Sequence, residues 1–96
     1  MIKITPHNPS NYLKDPKFAH IYLNTLFEDS ETTPSEIIQA LGDIAKAQGI
    51  TDISRKTGLS RESIYKSLSG KTNPRFDTIF KIIKALGLSI TVTNYI

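Results

Sequence analysis

The residues best suited to chemistry in this 96-residue chain are basic and hydrogen-bonding side chains that follow a short predicted turn. Arg61, Glu62, Tyr65 and Lys66 are spaced so that one face of a helix would present all four to a partner. An arginine can bind O6 and N7 of guanine, a glutamate can accept a hydrogen bond from the cytosine amino group, and a lysine can contact a base or a phosphate. The predicted chemistry is therefore contact with the major groove of a double-stranded nucleic acid.

The same four residues also have structural interpretations. Isolated bases on a helix are usually only solvated, but the position of Arg61 and Lys66 directly after a turn favours contact with a base or a phosphate. Glu62 could equally stabilise the N-terminus of its helix, and Tyr65 could pack on a neighbouring helix. The roles of Glu62 and Tyr65 therefore stay open at the level of the sequence.

Other kinds of chemistry have few residues to support them. The chain has no cysteine, and His7 and His20 are its imidazoles. A nucleophile, a base and an orienting residue cannot be grouped from the side chains present, and Asp43 is expected to bond a neighbouring backbone group or base. We therefore expect no enzyme activity, no catalytic residue, no metal site and no cofactor.

The net charge of +3 is unevenly distributed along the chain. The first 36 residues carry three basic and five acidic side chains, whereas the remaining residues carry nine basic and four acidic ones. The positive excess in the second part is either an ordinary solvated surface or an anion-binding face. The acidic first part could meet a basic protein partner.

Start and stop signals predict five helices in one domain, after an extended lead-in over residues 1–14. Thr33 and Glu36 have the spacing of a capping box at the start of the second helix, and Thr51 is expected to cap the third. The predicted helices are bounded, in chain order, by Asp15 and Glu28, Thr33 and Gly49, Thr51 and Thr57, Ser60 and Gly70, and Phe76 and Gly87.

The third and fourth helices are predicted to cross steeply. They are joined by Gly58-Leu59-Ser60, where Gly58 permits a left-handed turn. Ser54 is small where the fourth helix approaches the third, and Leu59 and Ile64 can fill the angle between them. This pattern is typical of a helix-turn-helix, whose second helix can lie in a major groove about 12 Å wide.

Apolar residues at spacings of three and four predict one core for the bundle. Phe18, Tyr22 and Leu26 on the first helix are interpreted as core, although they could instead cover a protein partner. The strongest apolar stripe lies on the fifth helix and consists of Phe76, Ile79, Phe80, Ile83 and Leu86.

The final segment alternates apolar and polar residues and predicts a short strand, with Leu88, Ile90 and Val92 on one side. A lone strand must pair its edges, either with residues 2–5 or with its copy in a second chain, and we favour the dimer. The predicted fold is an all-α five-helix bundle with a short C-terminal β-strand. Its parts are an N-terminal extension with the first helix (1–33), a helix-turn-helix unit (34–87) and the strand (88–96).

These motifs resemble those of known families. Residues 34–86 are similar to the phage-repressor-like helix-turn-helix domain. Two motifs carry this resemblance: Gly-Leu-Ser-Arg in the turn and Gly70-Lys71-x-Asn73-Pro74 after the fourth helix. Nearly the whole chain looks like HigA-like addiction-module antidote proteins with a Cro-type domain. The matching blocks are Ile4-Thr5-Pro6-His7-Asn8-Pro9 followed by Tyr12-Leu13, Ala40-Leu41-Gly42-Asp43-Ile44-Ala45, and Gly58-Leu59-Ser60-Arg61-Glu62-Ser63-Ile64-Tyr65-Lys66.

The resemblance implies a lambda-repressor-like fold and the function of a type II antitoxin. Such a protein represses its own operon as a dimer on operator DNA and neutralises a small basic toxin of the RelE/ParE or HigB type, encoded by a neighbouring gene. The chain departs from general phage-repressor domains at Ser67 and Thr51, where they place a large aliphatic residue and an amide, and Leu68 could replace the missing packing. The residues implied to bind DNA are Thr51, Ser60, Lys71 and Asn73 beside the groove, and Arg61, Glu62, Tyr65 and Lys66 within it.

Two other functions stay open. A stand-alone prophage or plasmid regulator would use the same DNA contacts without a toxin, and a protein-interaction domain would keep the bundle without binding nucleic acid. No apolar run approaches the roughly 18 residues of a membrane span, and the N-terminus lacks the apolar core of a signal peptide. A cytoplasmic location without membrane contact is therefore expected.

Overall fold

The computed structural model describes residues 12–94, which contain five helices with both ends in this range and no strand. The helices are α1 (Pro16–Glu28), α2 (Pro34–Gln48), α3 (Ile50–Thr57), α4 (Arg61–Ser67) and α5 (Phe76–Ala85). The all-α class and the five predicted helices are confirmed. The predicted lead-in lies mostly outside the described residues, but Tyr12 and Leu13 are helical rather than extended, and Leu13 is buried.

Side-chain caps start α1 and α2 where the sequence predicts them. Asp15 accepts a hydrogen bond from the backbone N–H of Lys17 (3.0 Å). The Thr33 hydroxyl accepts from the N–H of Glu36 (3.3 Å), and the Glu36 carboxylate accepts from the N–H of Thr33 (2.9 Å). This capping box satisfies backbone donors that the helix itself leaves unpaired.

The predicted cap of α3 is wrong. α3 begins at Ile50, and its N-cap residue is Gly49, which has no side chain to supply a cap. Gly49 has φ +110° and bounds both α2 and α3, so the chain passes from one helix to the next without a linker. Thr51 therefore lies inside the first turn of α3, with an exposed side chain.

α4 ends at Ser67 rather than at Gly70. The hydroxyls of Ser69 (3.0 Å) and Thr72 (3.1 Å) both donate to the backbone carbonyl of Lys66. Hydroxyl groups that bond a nearby carbonyl compete with helical hydrogen bonds and favour turns. The loop that leads to α5 therefore starts sooner than the predicted glycine.

One hydrophobic core joins the helices. α1 contributes Ala19 and Leu23 and packs on α2, while α5 packs on α3. Tyr22 and Leu26 pack against this core, as predicted. The largest fully buried side chains are Leu13, Leu41, Ile44, Ile53, Ile64, Ile82 and Leu86.

The buried face of α5 differs from the predicted apolar stripe. Three residues of the stripe lie in or against the core as predicted, namely Ile79, Ile83 and Leu86. Ile82, which the stripe does not include, is fully buried, whereas Phe76 and Phe80 are 70% and 41% exposed. The apolar residues of α5 follow one another at spacings of three and four along two neighbouring faces of the helix. Packing against α3 determines which of the two faces is buried. The two phenylalanines therefore belong to the surface of the molecule.

α2 and the end of α4 approach closely at Gly42. A Cβ atom at this position would lie 3.1 Å from the backbone oxygen of Leu68. On the same helix, the hydroxyl of Ser35 donates to the backbone oxygen of Gly70 (2.8 Å). Leu68 is buried and Ser67 is half-buried, so Leu68 supplies the apolar packing that Ser67 cannot.

Residues 88–94 form neither a helix nor a strand within the single chain. Leu88 packs against the chain's own core, and Ile90 and Val92 are 45% and 93% exposed. The predicted alternation of these three residues on one side of a strand is therefore not formed by one chain alone. The alternative partner of the strand, residues 2–5, lies outside the described residues.

Candidate nucleic-acid interface

Hydrogen bonds hold the turn between α3 and α4 in one shape. Gly58 has φ +77°, a left-handed conformation that favours glycine. The Thr57 hydroxyl donates to a backbone carbonyl of α3 (2.8 Å) and accepts from the N–H of Leu59 (3.1 Å). The Ser54 hydroxyl donates to the carbonyl of Leu59. The direction of α4 relative to α3 is therefore well defined.

Buried residues determine which face of α4 points outward. Ile64 is fully buried, Leu68 is 6% exposed, and both belong to the core that also contains Ile53 of α3. Ser60 caps the helix, because its hydroxyl accepts a hydrogen bond from the N–H of Ser63 (3.0 Å). The opposite face of α4 is left to solvent.

This outer face carries the four residues predicted to enter a groove. Arg61, Glu62, Tyr65 and Lys66 are all exposed. Within residues 12–94, the side chains of Arg61, Glu62 and Lys66 form no hydrogen bond or ion pair. Glu62 also lies in the first turn of α4, where its charge favours the helix N-terminus. The charges of Arg61 and Lys66 are therefore available to an external partner.

The remaining predicted DNA-binding residues lie on segments that flank α4 in the chain. Thr51 is in the first turn of α3, and Lys71 and Asn73 are in the loop before α5, all three with exposed side chains. The N–H of Lys71 donates to the Ser69 hydroxyl (3.1 Å), which orders the start of this loop. The exposed Ser60 hydroxyl is already engaged as the helix cap. No hydrogen bond among the described residues joins Thr51, Lys71 or Asn73 to the outer face of α4.

The basic residues of α3 are paired within their own helix. Asp52 forms ion pairs with Arg55 and with Lys56, the latter at 3.1 Å. Hydrogen bonds from Lys56 and then Arg55 hold the pKa of Asp52 below its ordinary value. The spacings of three and four residues predict such pairs, although charge counting alone misses them. The cations near the turn that lack an ion-pair partner among the described residues are therefore on α4 and in the following loop, while α3 keeps a net charge of +1 because Asp52 balances only one of its two cations.

Tyr65 also borders a groove of about 300 Å³ between α2 and α4. Gln39, Asp43 and Lys46 of α2 line the same groove. Tyr65 is 50% exposed, so its ring contacts this groove while its outer part remains accessible. Packing of Tyr65 against α2 is therefore compatible with contact between its exposed part and the major groove of DNA.

Asp43 does not form the expected hydrogen bond to a described neighbour and is exposed. Its effect is electrostatic. Burial raises the pKa of the Tyr22 phenol, and the negative charge of Asp43 raises it further. Asp43 thus faces the junction of α1 and α2 as well as the groove beside α4.

A second candidate surface lies at the C-terminal end of α1. Phe27 is 66% exposed, and Glu28, Asp29 and Glu31 follow it with exposed side chains. We call these four residues the acidic surface. Ile21, about two turns earlier on α1, is 39% exposed. A partner of this end of α1 must therefore tolerate negative charge next to an aromatic ring.

Residues 12–94 offer neither a metal site nor a membrane span. No three side chains of the metal-ligating types cluster there. No helix of that range combines the length and the apolar composition of a membrane span.

Comparison with known proteins bears on the whole chain rather than on the turn alone. Residues 3–94 match the family described as probable addiction module antidote protein. The chain is also 40% identical, over 83 residues, to an uncharacterized protein of Haemophilus influenzae, a match that covers 86% of this chain and 84% of that protein. No solved structure matches the chain.

Proposed function

This chain belongs to the family of probable addiction module antidote proteins, and from that premise we propose that it is the antitoxin of a type II module that binds DNA. Membership of an antidote family implies a toxin partner. The finer proposal has two parts: repression of its own operon through operator DNA, and neutralisation of a small basic toxin of the RelE/ParE or HigB type. Both are binding functions in the cytoplasm and require no catalysis.

The outer face of α4 carries the DNA-binding part of the proposal. α3 and α4 form a helix-turn-helix of the phage-repressor type, and α4, about 10 Å long, enters the major groove. Arg61 and Lys66 approach base edges or phosphates, because neither side chain is paired within the described fold. The sugar-phosphate backbone receives hydrogen bonds or charge from Thr51, Lys71 and Asn73. Ser60 lies beside it as the cap of α4, and its hydroxyl must release Ser63 Oγ before it can donate to a phosphate.

We further propose that two chains bind one operator. A two-fold axis would place the two copies of α4 in successive major grooves, about 34 Å apart. The exposed Ile90 and Val92 support a contact through strands formed by residues 88–93 of both copies, because within residues 12–94 this segment has no strand partner.

The acidic surface supports the toxin-binding part of the proposal. Its carboxylates attract a basic protein and repel DNA phosphates, and Phe27 offers an apolar anchor beside them. The molecule would then separate its two partners by charge, with DNA at α4 and the toxin at the end of α1.

A titration of DNA tests the repressor function. A labelled fragment from upstream of the gene, and a shuffled fragment of equal length, are titrated with the purified protein over a range of salt. We expect the native fragment to bind about a thousandfold more tightly than the shuffled one. Equal, weak binding to both fragments would overturn sequence-specific repression, and binding insensitive to salt would exclude phosphate contact.

A co-expression experiment tests the toxin. The product of an adjacent small reading frame is expressed with this protein, and complex formation and relief of growth arrest are measured. Reversing two charges of the acidic surface, Glu28→Lys with Glu31→Lys, should abolish both, whereas Glu62→Lys on α4 should leave both intact. Asp29 is left unchanged because its carboxylate accepts a hydrogen bond from the N–H of Glu31 (2.9 Å). Full relief of growth arrest by the Glu28→Lys, Glu31→Lys variant would contradict toxin binding at the acidic surface. The absence of any protein partner would favour a stand-alone regulator.

A further inference from the structure

The loop between α4 and α5, residues 68–75, is held by hydrogen bonds although it has no regular secondary structure. The hydroxyls of Ser69 (3.0 Å) and Thr72 (3.1 Å) donate to the backbone carbonyl of Lys66, and the N–H of Lys71 donates to the Ser69 hydroxyl (3.1 Å). These bonds join the loop to the end of α4, the helix that it follows. The position of the loop relative to α2 depends on other contacts.

A chain of two hydrogen bonds joins the loop to α2. The Ser35 hydroxyl donates to the backbone oxygen of Gly70 (2.8 Å), and the side-chain amide of Gln39 donates to the Ser35 hydroxyl (3.3 Å). A hydroxyl has one proton to donate, so the bond from Gln39 orients Ser35 with its proton toward Gly70. Ser35 is half-buried, which limits competition from water for this proton. Ser35 and Gln39 therefore act together as one link between α2 and the loop.

Gly70 fits closely against the same two side chains. A Cβ atom at this position would lie 2.5 Å from Gln39 Nε2 and 2.9 Å from Ser35 Oγ. Both distances are shorter than ordinary contacts of a Cβ atom, so a larger residue would displace the two side chains or the loop. The lack of a side chain at Gly70 therefore lets the loop backbone come within hydrogen-bonding distance of Ser35.

Lys71 lies between two anchored residues. Gly70 before it is bonded to α2, Thr72 after it is bonded to the end of α4, and its own N–H is bonded to Ser69. The Lys71 side chain is exposed and forms no hydrogen bond or ion pair within residues 12–94. The fold thus orders the backbone of Lys71 and leaves its ammonium group to an external anion. A backbone that is ordered before binding loses less entropy when the ammonium group contacts a phosphate.

We propose that Ser35 and Gln39 are positioning residues for the contact of Lys71 with DNA. The proposal rests on the proposed function, in which Lys71 contacts the sugar-phosphate backbone. Ser35 and Gln39 hold the loop backbone at Gly70, so the ammonium group of Lys71 is presented to the duplex from a fixed point. α2 thereby contributes to DNA binding through the loop, in addition to the groove contacts of α4.

Titration of operator DNA with single and double variants tests this role. Ser35→Ala should raise the dissociation constant by about three- to tenfold, as the loss of one hydrogen bond does, and should reduce the salt dependence as Lys71→Ala does. In the Lys71→Ala background, Ser35→Ala should have little further effect. Its effect should multiply with that of Arg61→Ala, because Arg61 lies at the opposite end of α4 from the loop. Thr25→Ala is the matched control, since the Thr25 hydroxyl donates to a carbonyl of its own helix (2.8 Å) and should not affect DNA binding.

A second variant tests the other half of the link. Gln39→Ala should weaken operator binding in the same direction as Ser35→Ala, and it should add nothing to Ser35→Ala because the two side chains act in series. Circular dichroism checks that each variant folds, and Gln39→Ala, which keeps the Ser35 hydroxyl, replaces Ser35→Ala in the cycle with Lys71→Ala if Ser35→Ala does not fold. A full effect of either variant in the Lys71→Ala background would overturn the positioning role.

Hydrogen exchange in the free protein gives a measurement that needs no DNA. Exchange at the N–H of Lys71 should be faster in Ser35→Ala than in the wild type, while exchange within α1 stays the same. Equal exchange at Lys71 in the two proteins would overturn the positioning role. If Lys71→Ala weakens operator binding and Ser35→Ala does not, only the positioning role is wrong. If Lys71→Ala leaves operator binding unchanged, the proposed contact of Lys71 is wrong as well.

Discussion

Arg61 and Lys71 are both exposed bases, but their positions give them different tasks on DNA. Arg61 begins α4 directly after its cap and can reach base edges, whereas Lys71 lies in the loop after α4 and can reach only the backbone of the duplex in the proposed arrangement. Both side chains are positively charged and exposed, so any difference between their effects on DNA binding must come from the part of the DNA that each one contacts.

We therefore expect Arg61→Ala to weaken binding to the operator by about 1–3 kcal/mol and to leave binding to random DNA largely unchanged. Lys71→Ala should weaken binding to both DNAs by equal factors and reduce the dependence on salt. Titrations of each variant against operator and shuffled fragments measure both effects. Arg55→Ala is the matched control, since Arg55 is exposed but paired with Asp52. An equal loss on both DNAs for Arg61→Ala would exclude a base contact.

Tyr22 links the stability of the fold to high pH. Burial and the charge of Asp43 raise the pKa of Tyr22 in the folded chain above its value in the unfolded chain. The protonated phenol therefore stabilises the fold fully below about pH 10, and this contribution is lost as the pH rises through the folded pKa. Urea unfolding at about pH 8 and about pH 10.5 should show a larger loss of unfolding free energy for the wild type than for Tyr22→Phe. Identical losses would contradict the raised pKa.

At the scale of the helices, local signals predicted the starts of α1, α2 and α4 because the cap residues act within a few positions of themselves. Asp15, Thr33 and Ser60 all accept the expected backbone hydrogen bonds. Thr51 has the right side chain for a cap, but Gly49 already starts α3, and no local signal distinguishes the two. The face of α5 depends on α3, so the exposure of Phe76 and Phe80 could not be derived from spacing alone.

The contribution of one such cap to stability can be measured at the capping box of α2. Thr33→Ala removes the acceptor for the N–H of Glu36 and should lower the free energy of unfolding by about 1 kcal/mol. Thr25→Ala is the control, because Thr25 lies within α1 and its hydroxyl donates only to the carbonyl of Ile21 (2.8 Å). Alanine favours a helix interior, so this second variant should be neutral or slightly stabilising. A Thr33→Ala variant as stable as the wild type would show that water replaces the cap.

At the scale of the whole molecule, the predicted functional parts share one core. α1 supplies Ala19 and Leu23, and Leu13 before it is 1% exposed, so the segment proposed to bind the toxin also completes the bundle. The candidate DNA face could be predicted from the sequence because its residues are consecutive in the chain. The packing of Tyr22 and Leu26 of α1 on the core was also predicted, whereas the burial of Leu13 before α1 was not, since it arises from contacts between distant segments.

Removal of residues 1–30 should therefore lower the free energy of unfolding by several kcal/mol or prevent folding, as large deletions from a core do. Thermal unfolding of the truncated chain, followed by circular dichroism, measures this. Phe27→Ala, which changes an exposed residue of the same segment, should leave the melting temperature nearly unchanged. A truncated chain that melts like the wild type would mean that residues 31–96 fold without α1.

The close approach of Gly42 to Leu68 places α2 in direct contact with the end of α4. A Cβ atom at position 42 would lie only 3.1 Å from the backbone oxygen of Leu68, and closely packed contacts transmit displacement instead of absorbing it. α1 packs on one part of α2, while Leu68 and the loop that carries Lys71 meet another. In the proposed function, a toxin that shifts α1 and α2 would therefore also shift the loop that carries Lys71, and this would couple capture of the toxin to release of the operator.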